Sequence, residues 1–316
     1  MKLPFSGRPL ALAVLSSLIF SPLPVAHAEE APKVALVMKS LANEFFRTME
    51  DGAKDYQKTH ASEFQLVANG IKNETDTGEQ IRIVEQMVNS GAKALVIAPA
   101  DSKALVSAVK KAMDKGVIVI NIDNRLDPET LKSKGISVPF VGPDNRKGAR
   151  MVGDYLAQQK LKAGDQVGII EGVPTTTNAQ QRTAGFKDAM EAAQMKIVSV
   201  QSGNWEIDKG NAVAASMLNE YPDLKALLAG NDSMALGAVS AVRAAGKTGQ
   251  VQVVGYDNIK AIEPMLKDGR VLATLDQAAS EQAVFGIQAA LKMLKGEQPG
   301  VDADNVIQTP VKLITK

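Results

Sequence analysis

Short runs of apolar, mostly β-branched residues alternate with helical stripes along most of the chain. Runs such as Val34–Val37, Ala94–Ala98 and Val117–Ile122 have the length and composition of parallel strands that are buried on both faces. Between these runs, as in residues 75–90, apolar side chains recur at the spacing of an amphipathic helix. The alternation predicts βαβ units, and therefore parallel sheets covered by helices.

The alternation restarts after Gly142-Pro143, which divides the chain into two halves of about six units each. The pattern therefore predicts an α/β fold of two doubly wound parallel-sheet lobes, with the chain crossing between them near this dipeptide. The polar segment Asp123–Lys134 is predicted to be a loop. The last apolar segment, Val306–Ile314, is predicted to be a single terminal strand.

Residues 1–28 have the pattern of a secretory signal peptide. Lys2 and Arg8 form a basic start, Leu10–Phe20 an apolar core, and a small-x-small triplet ending at Ala28 predicts cleavage after that residue. The apolar core is shorter than the ~20 residues of a membrane-spanning helix. An uncleaved membrane anchor is the alternative. The pattern predicts a mature chain that is exported to the periplasm.

Composition excludes several kinds of function. Removing residues 1–28, with Lys2 and Arg8, changes the formal charge from +1 to −1, so no electrostatic attraction to nucleic acid or to an anionic membrane is expected. The sequence has no cysteine, and its two histidines are His27 in the signal segment and His60 in a polar segment. Thiolate chemistry and histidine-rich metal sites are therefore not expected. We expect no cofactor and no nucleic-acid partner.

Polar and aromatic side chains follow many of the predicted strands at their carboxyl ends, where open α/β sheets bind ligands. Carboxylates accept hydroxyl protons, amides both donate and accept, and aromatic rings cover C–H faces, so the set suits a neutral, polyhydroxylated ligand. Asn178, at the start of a predicted helix, is interpreted as an N-cap. The residues at the strand ends are Lys39, Asn43, Phe45, Phe46, Asp123, Asn124, Trp205, Asn231, Asp232, Tyr256, Asp257, Asp276 and Gln277.

Six segments carry a family resemblance. They are VALVMKSLANEFF (34–46), IAPADS (97–102), VINID (119–123), GNDSMALGA (230–238), VVGYD (253–257) and LATLDQ (272–277). In this order and spacing they resemble the periplasmic monosaccharide-binding proteins of ABC importers, in the ribose- and allose-binding group. The resemblance extends over nearly the whole mature chain.

The resemblance implies a non-enzymatic, exported binding protein that captures a monosaccharide and delivers it to a membrane permease. It also implies a three-segment hinge between an N-terminal lobe, 29–142 plus 278–306, and a C-terminal lobe, 143–277 plus 307–316. The protein is expected to be a monomer, and a chemoreceptor is a further candidate partner. The implied ligand contacts are Lys39, Asn43, Phe45, Phe46, Asp123, Asn124, Gln180, Trp205, Asn231, Asp257 and Gln277.

The sequence departs from the ribose-binding pattern at four of its positions. That pattern has serine at Lys39, asparagine at Ala98, and arginine at both Asn124 and Gln180. Two expected arginines are therefore missing. Lys39 and Ala98 make the chain look more like the allose-binding branch, with ribose as the alternative ligand.

A sugar-modifying enzyme is the alternative function. It would use Asp123 and Asp257 as acid and base, since glycoside hydrolysis is usually catalysed by a pair of carboxyl groups. Chemical change of a bound sugar would distinguish the enzyme from the binding protein.

Overall fold

Two six-stranded sheets form the framework of the part of the chain that the computed structural model describes, residues 1–4 and 30–316. The strands are, in chain order, β1 Lys33–Ser40, β2 Gln65–Ile71, β3 Ala94–Ile97, β4 Ile118–Ile122, β5 Phe140–Gly142, β6 Gln166–Glu171, β7 Lys196–Ser202, β8 Leu224–Ala229, β9 Gln252–Val254, β10 Ala273–Asp276, β11 Val306–Gln308 and β12 Lys312–Thr315. The helices are α1 Glu44–Thr59, α2 Thr77–Asn89, α3 Val106–Asp114, α4 Pro128–Ser133, α5 Asn145–Lys160, α6 Thr177–Ala192, α7 Ile207–Glu220, α8 Asp232–Ala244, α9 Glu263–Lys267 and α10 Ala279–Leu294. A 3₁₀ turn, Lys260–Ile262, precedes α9.

Both sheets are doubly wound. The first has the strand order β11-β5-β4-β3-β1-β2, with parallel pairings throughout. The second has the order β12-β10-β9-β8-β6-β7, parallel except that β10 and β12 run antiparallel. In each sheet the strand order reverses beside the first strand in the chain, β1 or β6. Open sheets bind ligands at such switch points. The predicted fold of two doubly wound lobes is confirmed.

Strand β1 shows why the buried strands have continuous apolar sequences. Successive side chains of a strand point to opposite faces of the sheet. Val34, Leu36 and Met38 therefore pack into one buried cluster, whereas Ala35 and Val37 pack into a second cluster on the other face. Because helices cover both faces, no position of the strand can be polar until its carboxyl end.

The chain crosses between the sheets three times. The crossings follow β5, β10 and β11, so that a first lobe contains α1–α4 and α10 and a second lobe contains α5–α9. Ile307 and Gln308 pair with Val141 and Gly142 in the first sheet, which places the third crossing between β11 and β12, beyond the predicted boundary at 306/307.

Two local predictions are wrong. The segment Asp123–Lys134 contains α4, which begins where the Asp127 carboxylate accepts the N–H of Thr130 at 2.8 Å. The segment Val306–Ile314 is divided between β11 and β12, which belong to different sheets. Pro310 lies between these strands and has no N–H with which to continue a strand ladder.

The predicted signal peptide, residues 1–28, lies outside the described residues except for 1–4. Residues 31–316, which contain both sheets, form one compact unit. Within the described ranges, no helix combines the length and the apolar character that crossing a bilayer requires.

Candidate ligand-binding site

The carboxyl end of β1 and the start of α1 bring four of the predicted residues together. Asn43 caps α1, because its Oδ1 accepts the N–H of Phe45 at 3.1 Å. Phe45 and Phe46 occupy the first turn and pack edge to face, with ring centroids 5.2 Å apart. The Lys39 ammonium lies 5.5 Å from the centroid of the Phe46 ring, within the range of a cation–π contact.

The strand ends of the second lobe contribute a second group. Trp205 follows β7, Asn231 follows β8, Asp257 follows β9 and Gln277 follows β10. The Asn231 side chain accepts the N–H of Met234 at 2.9 Å and donates to the carbonyl of Trp205 at 3.2 Å. One amide therefore starts helix α8 and also holds the tryptophan in place.

These two groups face each other across a cavity between the lobes. The side chains around it are almost entirely buried. The lining residues are Lys39, Asn43, Phe45, Phe46, Asp123, Asn178, Arg182, Trp205, Asn231, Asp257 and Gln277.

Nine of the eleven predicted residues line this cavity, and Asn124 and Gln180 do not. The Asn124 amide donates to the carbonyl of Pro99 at 2.9 Å and accepts the backbone N–H of Asn178 at 3.3 Å. It therefore joins the loops of the two lobes beside the cavity. Gln180 is exposed, and its amide donates to the carbonyl of Pro174 within the second lobe at 2.8 Å.

Two cavity residues, Arg182 and Asn178, are missing from the predicted set. Asn178 is not an N-cap, since α6 begins before it. The resemblance placed an expected arginine at Gln180, but Arg182 reaches the cavity instead. Its Nη1 lies 3.2 Å from Asp257 Oδ1, and its guanidinium stacks 3.7 Å from the centroid of the Tyr256 ring. The interpretation that both arginines are missing is therefore wrong.

Two buried ion pairs organise the charge around the cavity. Arg182 pairs with Asp257 at 3.2 Å, and Lys39 pairs with Glu74 at 3.1 Å. All four side chains are no more than 4% exposed. Buried ions of this kind are tolerated when they are paired and hydrogen-bonded. Asp123 and Asp257 are the two carboxylates that line the cavity, and within the described residues Asp123 has no ion-pair partner.

Burial changes the acidity of both cavity carboxyl groups. It raises the pKa of Asp257 to about 7, against the opposing charge of Arg182. It also raises the pKa of Asp123, which the charges of Lys39 and Arg182 lower again. Hydrogen bonds donated to the carboxylates would stabilise their ionised forms. The site is therefore suited to a ligand that donates hydroxyl protons.

Two polar atoms in the cavity wall have no hydrogen-bond partner within the described part of the chain. They are Asp123 Oδ2, an acceptor, and Trp205 Nε1, a donor. An unpaired buried polar group costs about 1–3 kcal/mol, and most such groups in folded proteins are paired. A ligand with hydroxyl groups could satisfy both atoms, since a hydroxyl donates and accepts.

Three cavity residues have backbone conformations that L-residues rarely adopt. The φ angles are 60° at Asp123, 68° at Trp205 and 115° at Asp257. Such conformations cost about 1–3 kcal/mol each and concentrate at ligand-binding sites, where the surrounding structure holds them. Each of these residues follows a strand of its sheet, so the strained turns direct the side chains into the cavity.

Direct contacts between the lobes surround the cavity. The Ser102 hydroxyl of the first lobe accepts the N–H of Thr177 at 2.9 Å. The Glu44 carboxylate, also of the first lobe, accepts the N–H groups of Lys260 at 3.0 Å and Ala261 at 3.2 Å. The two lobes are thus closed over the cavity from more than one side.

Known proteins share both the sequence and this arrangement of lobes. Residues 34–298 match the family described as periplasmic binding protein domain. The chain is 73% identical over 318 residues to the D-ribose/D-allose-binding protein of Pseudomonas aeruginosa, covering 100% of this chain and 99% of the relative.

Two solved structures are similar over most of their length. One is a crystal structure of an ABC transporter solute-binding protein from Burkholderia multivorans, with an unknown ligand represented as alpha-D-erythrofuranose. It is 73% identical in sequence and has a TM-score of 0.87, and the match covers 90% of this chain and 99% of that chain. One from Actinobacillus succinogenes with bound D-allose is 33% identical with a TM-score of 0.83, covering 90% and 97%. This chain belongs to the periplasmic binding protein family.

Proposed function

We propose that this chain is the exported, sugar-binding component of an ABC importer and that it binds D-ribose and D-allose between its lobes. The observation that carries the proposal is the composition of the closed cavity. Carboxylates, amides and aromatic rings line it, and Asp123 and Trp205 present an acceptor and a donor that have no partner among the described residues. The name of the Pseudomonas relative, a D-ribose/D-allose-binding protein, supports the same pair of ligands.

The two sugars place the same demands on such a cavity. In their pyranose forms they share the configuration of three ring hydroxyls, and D-allose carries an additional hydroxymethyl group. Asp123 and Asp257 would accept protons from the shared hydroxyls. The rings of Phe45, Phe46 and Trp205 would cover the C–H faces of the sugar.

A ligand panel tests this proposal. D-Ribose and D-allose should raise the melting temperature, because a ligand that binds only the folded state stabilises it by mass action. D-Glucose, which differs from D-allose at one hydroxyl, should bind at least about 100-fold more weakly, since it leaves buried polar groups unpaired. The absence of a shift with both D-ribose and D-allose would overturn the proposed ligands.

The transport role follows from the two lobes. The three crossings form the hinge between residues 29–142 with 278–308 and residues 143–277 with 309–316, and sugar binding shifts an open–closed equilibrium toward the closed form. A membrane permease then recognises the closed monomer, and a chemoreceptor is a second candidate partner.

Residues 1–28 direct export to the periplasm. N-terminal sequencing of protein from a periplasmic fraction should begin at Glu29, after cleavage at Ala28.

Binding without chemical change is also part of the proposal. Asp257 is held by Arg182 at 3.2 Å and by Gln277 at 2.6 Å, which fixes it as an acceptor for ligand hydroxyls. D-Allose incubated with the protein for many hours should be recovered unchanged by chromatography. A new sugar product would favour an enzyme that uses Asp123 and Asp257.

Gly172 provides a test of the position of Trp205. A β-carbon at Gly172 would overlap the indole ring of Trp205. Overpacking of this kind costs about 1–3 kcal/mol, so Gly172→Ala should weaken D-allose binding by about 5- to 150-fold. Gly78→Ala is the matched control, since its nearest neighbour would be 3.8 Å away, and calorimetry should find its affinity unchanged. Equal affinities for both variants would contradict this placement.

The raised pKa of Asp257 predicts that the stability of the fold depends on pH. The pKa of Asp257 is about 7 in the closed cavity, above its ordinary value of about 3.9 in water. Its contribution to the free energy of unfolding is therefore complete below about pH 4 and is lost as the pH rises through 7. Chemical denaturation of the ligand-free protein should give a smaller free energy of unfolding at pH 8 than at pH 5. A larger free energy of unfolding at pH 8 would contradict the prediction.

A further inference from the structure

Glu74 is a buried carboxylate outside the set of cavity-lining residues. It lies in the loop between β2 and α2, and the residue is 1% exposed. Its carboxylate oxygens lie 3.1 Å from the Lys39 ammonium and 3.1 Å from the Asn43 amide nitrogen. Both of these partners line the cavity. Glu74 therefore acts on any ligand through two residues that touch it.

We propose that Glu74 is a positioning residue that makes the cavity select neutral sugars over sugar acids. The inference rests on the proposed sugar-binding function and adds a residue that controls it. Glu74 neutralises Lys39, so that Lys39 offers no free positive charge to a ligand carboxylate, and it sets the orientation of the neutral Asn43 amide.

The charges around the cavity support this role. Arg182 is already paired with Asp257, and Lys39 is already paired with Glu74. The remaining carboxylate is Asp123. A ligand carboxylate would therefore have to be desolvated beside a like charge, without an unpaired cation among the lining residues to compensate it. Neutral hydroxyl groups face no such cost.

The position of Lys39 depends on the same contact. Its ammonium lies 5.2 Å from the centroid of the Trp205 ring and 5.5 Å from that of Phe46. These aromatic faces attract a cation without fixing its direction. The carboxylate of Glu74 supplies the direction, because its Oε2 is the ion-pair partner of the ammonium at 3.1 Å. Burial raises the pKa of Glu74, whereas Lys39 and Asn43 lower it.

The orientation of Asn43 is also determined by Glu74. Asn43 Oδ1 must face the N–H of Phe45, and its amide nitrogen donates to Glu74. These two partners assign the oxygen and nitrogen of the amide without ambiguity. The second N–H of this amide is then available to the cavity as a neutral donor, which suits a hydroxyl oxygen.

The test compares a neutral sugar with its acid. D-Alluronate keeps the pyranose ring of D-allose and carries a carboxylate in place of the hydroxymethyl group, so the two ligands differ only at this group. We expect the unaltered protein to bind D-allose at least about 100-fold more tightly than D-alluronate. In Glu74→Gln, the freed Lys39 charge should reduce this ratio by about tenfold or more.

Two further variants make the outcome decisive. Glu85→Gln removes an exposed glutamate of the same lobe that pairs with Lys111 at 3.5 Å, and should leave the ratio unchanged. Lys39→Met leaves the Glu74 carboxylate without its cation, so the ratio of neutral to acid binding should rise. This second arm still tests the proposal if Glu74→Gln does not fold. Unchanged ratios of neutral to acid binding in both Glu74→Gln and Lys39→Met would overturn the role of Glu74. Failure of the proposed function would give a different result, because the unaltered protein would then bind no neutral sugar.

Discussion

Asp257→Ala is expected to weaken D-allose binding by about 150- to 5,000-fold, which corresponds to about 3–5 kcal/mol. Two losses combine in this variant. The sugar loses a buried hydroxyl acceptor, and the Arg182 guanidinium loses the carboxylate that lies 3.2 Å away. Arg182 is only 3% exposed in its side chain, so water cannot replace the missing partner. Isothermal titration calorimetry with D-allose measures the effect.

Asp268→Ala is the matched control for this experiment. Asp268 also pairs with an arginine of the second lobe, Arg270, and their distance of 2.6 Å is shorter than that of the buried pair. Both side chains are substantially exposed, so water replaces the lost contact. We expect unchanged affinity. An Asp257→Ala variant that folds and binds D-allose within tenfold of the unaltered protein would place the sugar elsewhere.

The fold could be predicted because it depends on long, repeated patterns. A parallel strand covered by helices must be apolar on both faces, and the polar residue that ends it lies at the ligand-binding edge. This rule identified thirteen residues at strand ends, of which nine line the cavity and four, Asn124, Asp232, Tyr256 and Asp276, do not. The rule depends only on the order of strands and helices, and does not need the distances between them.

The position of the cavity arginine depends on helical spacing, which could have been used. Asn178 and Arg182 are four residues apart in α6, and residues with this spacing lie on the same face of a helix. Gln180, two residues from each, lies on another face and is exposed. Placing Asn178 at the cavity would therefore have placed Arg182 there too, and would have excluded Gln180.

Asn124 shows what the sequence pattern could not supply. Like Asp123 it follows β4, and both residues are buried. The amide of Asn124, however, is used by the carbonyl of Pro99 and by the backbone of Asn178 in the other lobe. Contacts between lobes depend on their relative placement, for which the chain has no local signal. The same limit applies to Glu74, whose partner Lys39 is distant in sequence.

Trp205→Ala is expected to weaken D-allose binding by about 30- to 1,000-fold, or about 2–4 kcal/mol, as is usual for a buried aromatic residue at the centre of a binding site. Trp205 is 3% exposed and its ring contacts the side chains of Lys39 and Arg182. Truncation removes the surface that would cover the sugar and also lets water reach both charged groups. The expected loss therefore includes weaker electrostatic contacts as well as lost stacking.

Trp205→Phe separates these contributions. It keeps an aromatic face but removes the Nε1 donor, so we expect a smaller loss of about 0.5–1.5 kcal/mol. Because Trp205 is the single tryptophan of the 316-residue sequence, its fluorescence in the unaltered protein should change with D-allose and give the same affinity as calorimetry.

Phe186→Ala is the stability control. Phe186 is fully buried in the second lobe away from the cavity lining, so its loss should lower the free energy of unfolding by about 3–5 kcal/mol without changing the affinity. If Trp205→Ala behaved like Phe186→Ala, Trp205 would be part of the core and would make no contact with the sugar.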